Sequence, residues 1–318
     1  MGGRLEPVVA RARALVRDAI AADDRPLLVA LSGGADSLAL AAVTAFVARK
    51  SSRTARAVVI DHGLQPGSDR IAAHAAEQAE RLGLASRVVA VDVAAADEGI
   101  ESAARRVRYA ALEADAAVDD ALVLLAHTLD DQAETVLLGL GRGSGPRSIA
   151  GMPARDGRWV RPFLRLRRAE TESICRAHEL TWWDDPHNLD PRFRRVRIRQ
   201  ELLPLMDDVL GGGVAAALAR TADLVRADTE MLDVLAERAH TDDAEALRAM
   251  PAALRLRVLR RLALGGGAAA GELSAEHLAR VDELVTDWRG QQRVELPGHV
   301  SVVRSGNRLR CIRTPVAG

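Results

Sequence analysis

Apolar positions follow two rhythms over roughly the first 140 residues, as strands and helices alternate. Short continuous runs at residues 27–31, 55–60, 87–91 and 122–126 each end at a polar or glycine cluster. Stretches with helical spacing, at 36–49, 70–82, 100–115 and 129–140, lie between and after them. Brief apolar strands separated by helices predict βαβ units, and hence a doubly wound parallel sheet covered on both faces. Open sheets of this kind bind ligands beyond the carboxyl ends of their strands. That rule directs attention to Ser32 through Ser37, to Asp61, His62 and Gly63, to Asp92, and to His127 through Asp131.

The pattern then changes. Residues 142–162 hold Gly143, Gly145, Pro146, Gly151, Pro153 and Gly157, a composition that predicts a long loop. Helices are predicted at 168–178 and 196–206, the second stopped by Pro204 or soon after. Gly211, Gly212 and Gly213 mark the expected boundary between a catalytic domain, 1–212, and a mainly helical domain, 213–318. In the latter, Leu218, Val225, Leu232 and Leu235 form one stripe of a helix over 214–239. Further helices are predicted over 252–264 and 274–288, with Ser274 as N-cap. Alternation and turns in about the last 25 residues predict a small antiparallel β element.

Composition narrows the chemistry. Apolar residues make up 48% and charged residues 28%, which excludes disorder as the main state. The 44 basic and 44 acidic residues cancel, so a nucleic-acid surface must come from local segregation. Lys50 is the only lysine. A Walker lysine or a Schiff base therefore has almost nowhere to sit, whereas phosphate clamping by arginine stays open. Aromatic content of 3% argues against a base-stacking platform. Cys175 and Cys311 form no CxxC pair. Met1 to Glu6 contain no apolar run of signal-peptide length and no long apolar span follows, so the expected location is cytoplasmic, with no membrane partner.

Two constellations carry chemistry. Ser32, Gly33, Gly34, Ala35, Asp36 and Ser37 join the first strand to a helix. Two glycines permit close backbone approach to an anion, and the helix start adds free amides. Asp36 fits such a cradle if it holds Mg²⁺ on a polyphosphate. The Walker GK[ST] signature is absent. On a helix, His127, Asp131 and Glu134 fall within about 60° of one another, and Asp130 borders them. The cluster suits a cation or a base for an amine, although Asp130 and Asp131 alone are better explained as acids complementing a helix dipole. Arg192, Arg194, Arg195, Arg197 and Arg199 crowd eight positions without an acid, a candidate stripe for contacts to a nucleic-acid backbone. His74, His178, His240, His277 and His299 are isolated and read as structural, and Trp182 and Trp183 as packing.

These residues resemble a known family. The loop from Ser32 to Ser37 is similar to the SGGxDS pyrophosphate loop of the N-type ATP pyrophosphatases, or PP-loop family. Asp61, His62, Gly63 and Leu64 resemble its DHGLR segment. The run from His127 to Thr135 resembles the HHxDDxxET segment of the tRNA(Ile)-lysidine synthetase branch, with Thr128 in place of the second histidine. The stretches Arg142 to Gly145, Arg161 to Leu164, Asp185 to Asp190 and Arg195 to Pro204 continue the likeness, with Val196 where an asparagine is usual.

The resemblance implies an ATP- and Mg²⁺-dependent ligase. Its partners would be L-lysine and isoleucine tRNA with a CAU anticodon, whose wobble cytidine becomes lysidine; a dimer is left open. Ser32, Gly33, Gly34, Ala35, Asp36, Ser37, Asp61 and His62 would bind ATP, with Asp36 on the metal. Arg105 or Arg108, in an ARxxRY-like segment, would face the α-phosphate, with Arg105 favoured. His127, Asp131 and Glu134 would be catalytic, the two acids also holding lysine. The alternatives are a 2-thiolating PP-loop enzyme, which would need cysteine thiolates, and a non-catalytic adenine-nucleotide sensor.

Overall fold

The computed structural model describes residues 6–93, 100–143, 145–290 and 293–314; Met1 to Leu5 and Ser144 lie outside them. Within the described residues the chain separates into two units. One comprises residues up to 137 together with 152–219, and the other comprises 138–151 together with 220–318.

The first unit is built on a six-stranded sheet. Its strands are β1 (Leu27–Leu31), β2 (Ala55–Asp61), β3 (Ala85–Ala90), β4 (Leu122–Leu124), β5 (Arg155–Asp156) and β6 (Trp159–Val160), in the order β3-β2-β1-β4-β6-β5. All neighbours are parallel except the edge pair β5–β6. The expected parallel sheet is therefore present. The apolar run of β1 has a clear cause. Leu27, Val29 and Leu31 pack into one core, while Leu28 and Ala30 pack into another on the opposite face. The first core is closed by α1 (Pro7–Ile20), α2 (Ala35–Lys50), α3 (Ser68–Arg81) and α7 (Arg168–Ala177). The second is closed by α4 (Ile100–Ala116) through Leu112 and Ala116. Helix α2 lies beneath the others, so nearly all of it is buried and it is apolar all round.

The sheet grows outward from β1 through β2 to β3, and the chain then crosses back to start β4 on the other side. The reversal between β1 and β4 opens a crevice at their carboxyl ends. Three predicted segments meet at this edge. Asp92 follows the outer strand β3 and stays exposed, away from them.

Several expectations change in detail. The glycine- and proline-rich stretch after α5 (Leu129–Arg142) is not a bare loop: it contains α6 (Pro146–Ile149) and the β5–β6 hairpin. Helix α1, with Val9, Ala12, Val16 and Ile20 buried, is absent from the sequence expectation, because its stripe is diluted by arginine and alanine. Pro204 does not stop its helix. The chain runs through α8 (Arg194–Arg197), a π turn (Ile198–Leu202) and α9 (Leu203–Leu210), with the Leu203 N–H bonded to the Ile198 carbonyl five residues back. Widening that turn changes the bonding register just before the residue that lacks an N–H.

In the second unit, α11 (Ala244–Ala249), α12 (Ala252–Gly265) and α13 (Ala275–Thr286) cover an antiparallel sheet of β7 (Arg293–Leu296), β8 (Val300–Ser305) and β9 (Arg308–Arg313). Leu247, Val258, Leu259, Leu284, Val302 and Leu309 form its core. Ser274 caps α13, accepting from the His277 N–H at 3.2 Å. Helix α10 (Val214–Arg238) belongs to the first unit at its start and to the second thereafter.

Candidate functional site

The loop after β1 closes on itself. The Ser32 N–H donates to Ser37 Oγ at 3.1 Å, and the Ser37 hydroxyl donates to the Gly34 carbonyl at 2.9 Å. Gly33 has a φ of +81°, which L side chains rarely adopt, and its carbonyl accepts the Trp183 N–H at 3.0 Å. Helix α2 begins at Gly34 with no side-chain cap, so its first-turn amides remain available to an anion.

Beside this loop lies a cavity of about 280 Å³, near the lower end for a small-molecule site. Ser32 lines the end next to the loop; Leu31, Val59, Ile71 and Trp183 give apolar walls; Asp61, His62, Gln65 and Asp185 supply polar groups. The Asp61 carboxylate accepts the Gly63 N–H at 3.0 Å, which fixes the turn after β2. His62 Nδ1 is buried without a hydrogen-bond partner among the described residues, and burial together with Arg108 lowers its pKa. Of the two candidate arginines, Arg108 lines this cavity. Arg105 lines a different depression and stacks on Tyr109, 4.9 Å from the ring centroid.

The second constellation lies at the tip of β4. His127 precedes α5 rather than standing on it, so it does not share a helix face with the two acids as expected. Thr128 is the residue that starts the helix. Asp131 Oδ2 accepts both the Thr128 N–H at 2.8 Å and the Thr128 hydroxyl at 2.9 Å. This reciprocal cap occupies Asp131 Oδ2 and leaves Oδ1 to Arg199. Asp130 points elsewhere, taking the Arg168 N–H at 2.8 Å and the Arg167 guanidinium at 2.9 Å, so it anchors the start of α7.

Glu134 is fully buried, and Arg199 serves it and Asp131 together. Arg199 Nε donates to Glu134 Oε1 at 2.7 Å, and Arg199 Nη2 lies 3.4 Å from Asp131 Oδ1. Arg195 is 3.8 Å from Glu134 Oε2, which has no hydrogen-bond partner among the described residues. Burial raises the Glu134 pKa to about 7, Arg199 opposing and Asp131 reinforcing the shift. Burial likewise raises Asp36 to about 6, against a hydrogen bond from Thr171 Oγ1 and the charge of Arg168 at 3.9 Å; the charges of Asp131 and Arg199 also reach it. Asp36, Asp131 and Glu134 thus share one electrostatic environment around Arg199. Burial, with Arg108, Arg161 and Arg105 adding to it and Asp131 opposing, lowers His127 to about 4, so its imidazole is neutral at pH 7.

The arginine stripe does not form one uniform face. Arg199 and Arg195 turn to Glu134, Arg192 pairs with Asp190 at 2.6 Å, and Arg197 pairs with Glu201 at 2.9 Å; Arg194 is exposed. Thr171, Arg168, Trp183 and Gln65 escaped the sequence reading. Trp183 lines the cavity, where the sequence alone reads it as packing.

Among the described residues, no group of three or more His, Cys, Asp or Glu side chains converges on a point that would hold a metal. A Mg²⁺ ion here would rest on one or two carboxylates and complete its shell with phosphate oxygens and water, a mode usual for this ion. Asp36 fits that role. No single helix among the described residues is long and apolar enough to cross a membrane.

A PP-loop domain model matches residues 5–206, and a TilS substrate binding domain model matches 243–310. The chain is 53% identical to a tRNA(Ile)-lysidine synthase of Mycolicibacterium paratuberculosis, covering 85% of each chain. It is 49% identical to that of Thermobifida fusca, over 92% of this chain and 94% of the other. Among solved structures, the U34-tRNA thiolase NcsA of Methanococcus maripaludis, described with its 4Fe–4S cluster, superposes with a TM-score of 0.58. It is 16% identical and covers 70% of this chain and 81% of its own, a likeness of fold alone. The anion loop, the crevice beside β1 and the acid cluster beyond β4 thus sit in a chain that belongs to the tRNA(Ile)-lysidine synthase family of PP-loop proteins.

Proposed function

We propose that this chain is an ATP-dependent ligase that converts the wobble cytidine of isoleucine tRNA, anticodon CAU, to lysidine. The observation that carries the reading is the juxtaposition of Asp36 in the PP-loop with two carboxylates, half-buried Asp131 and buried Glu134, held around one guanidinium.

The cavity beside Ser32 takes the adenosine, with Asp61 and His62 along it and the phosphates on the loop amides. Asp36 would hold Mg²⁺, which would neutralise the polyphosphate charge. Arg108, which lines the cavity, is placed for the α-phosphate. The cytidine O2 attacks the α-phosphorus and pyrophosphate leaves, which makes a poor electrophile, the base carbonyl carbon, carry a good leaving group. The lysine ε-amine then adds at C2 and AMP departs with O2. The amine must shed protons, and Glu134, balanced near pH 7, is suited to take one. Neutral His127 can donate or accept a hydrogen bond without bringing charge. With free lysine, ATP and tRNA as substrates, the proposed reaction belongs in the cytoplasm.

Sulfur transfer finds no support in the chain itself. Cys175 is buried, donates to the Ala35 carbonyl, and has its pKa pushed to about 12; Cys311 is half-buried against the Leu262 carbonyl. Neither offers a thiolate at the crevice.

The test is a balance of products. With ATP, Mg²⁺, lysine and a CAU-anticodon isoleucine tRNA transcript, one pyrophosphate and one AMP should appear per lysine joined to RNA. Turnover without lysine in the RNA would overturn the reading.

A further inference from the structure

Beside the nucleotide crevice, Ser102, Arg105, Arg106, Tyr109 and Arg161 line a separate, open depression of about 360 Å³. Three of its five lining residues are arginines and none is an acid. Tyr109 packs on Trp159 with centroids 4.9 Å apart, so its ring is fixed. Arg105 rests on that ring and donates to the Tyr109 hydroxyl at 3.2 Å, with no carboxylate partner among the described residues. Arg161 is buried; one Nη donates to the Pro153 carbonyl at 3.0 Å, while its Nε has no acceptor among the described residues.

Desolvating a guanidinium and leaving one of its donors unused is costly unless an anion completes it. Aromatic support for Arg105 also reduces the freedom lost on binding. The charges of Arg105 and Arg161 both reach His127 at the tip of β4, so this positive field adjoins the reacting region. We infer that the depression lined by Arg105, Arg106 and Arg161 is a phosphodiester subsite that grips the RNA backbone next to the nucleotide being modified. The inference rests on the assignment of RNA as substrate and extends it to a site outside the PP-loop and its adenosine cavity. Planar forks of donors suit phosphate oxygens, and contacts of this kind fix register without reading sequence.

The experiment measures binding of an anticodon stem-loop RNA with a CAU loop at several salt concentrations, alongside ATP binding. Arg105→Gln and Arg106→Gln should each weaken RNA binding about five- to tenfold and lower the slope of log K against log salt by roughly 0.7, the value for one single-strand phosphate contact. Arg106→Gln should leave ATP affinity unchanged. An Arg105→Gln/Arg106→Gln protein with wild-type RNA affinity and slope would overturn the subsite while leaving the substrate assignment intact. So would a loss of ATP affinity equal to the loss for RNA, because the depression would then serve the nucleotide. Wild-type protein that binds no stem-loop RNA would overturn the substrate assignment and the subsite together.

Discussion

In the proposed reaction Glu134 is the base of the second half. Its carboxyl is fully buried, touches Arg199 and sits near neutrality in pKa, so its protonation changes in the working pH range. As a base it must be unprotonated, and the lysine-dependent rate should therefore rise with pH through about 7. Glu134→Gln should cost about 10²- to 10⁴-fold in that rate, remove this limb of the profile, and leave ATP binding in place. The same shift has a sign in stability. Between about 4.5 and about 7 the folded wild type holds a proton that the unfolded chain has lost, so wild type loses stability relative to Glu134→Gln as pH rises across that window. Denaturant titrations at several pH values check this. Thr171 offers a second handle, since its hydroxyl donates to Asp36 and holds that carboxyl down against burial. In Thr171→Val the Asp36 pKa should climb above about 6, and the acid limb of Mg·ATP affinity should move upward with it.

At the scale of elements, the starts and crossings of helices decide where side chains point. Thr128 caps α5 and orients Asp131 at once, a role that a histidine at this position would fill differently. Thr128→Ala should cost about 1 kcal/mol of stability, typical for a lost N-cap, and raise KM for lysine more than KM for ATP. Gly139 marks a crossing: a Cβ there would lie 1.8 Å from the Ser148 carbonyl oxygen, so Gly139→Ala must displace α6, which a lowered Tm should report. The first four strands and the helices between them were legible because burial on both sheet faces demands unbroken apolar runs such as Leu27 to Leu31. Three details were not. The side chain of Asp130 was directed by an amide of α7, far away in sequence. His127 left the helix because Thr128 was the better cap. Pro204 was absorbed by a π turn, a bonding shift that leaves no mark in the hydrophobic rhythm.

For the whole molecule, charge is the property that sequence expressed least well. The net charge of zero and the arginine stripe were plain, but not which arginines were already engaged. Arg192 and Arg197 hold exposed pairs with Asp190 and Glu201, and such pairs contribute little because water and salt screen them. A phosphate can displace those acids at little cost. Arg199 is different: it answers a buried Glu134, and removing it would strand that carboxylate. The two kinds of arginine should therefore separate experimentally. Arg192→Gln and Arg197→Gln should lower tRNA affinity modestly and shallow its salt dependence by roughly 0.7 each, with kcat unchanged. Arg199→Gln should leave the salt slope close to wild type while collapsing kcat and pushing the Glu134 pKa higher still, because the opposing charge is gone. Filter binding of tRNA over a salt series, paired with single-turnover rates on saturating RNA, distinguishes the groups. Equal slopes and equal rate losses for all three variants would show that the stripe acts as one surface after all.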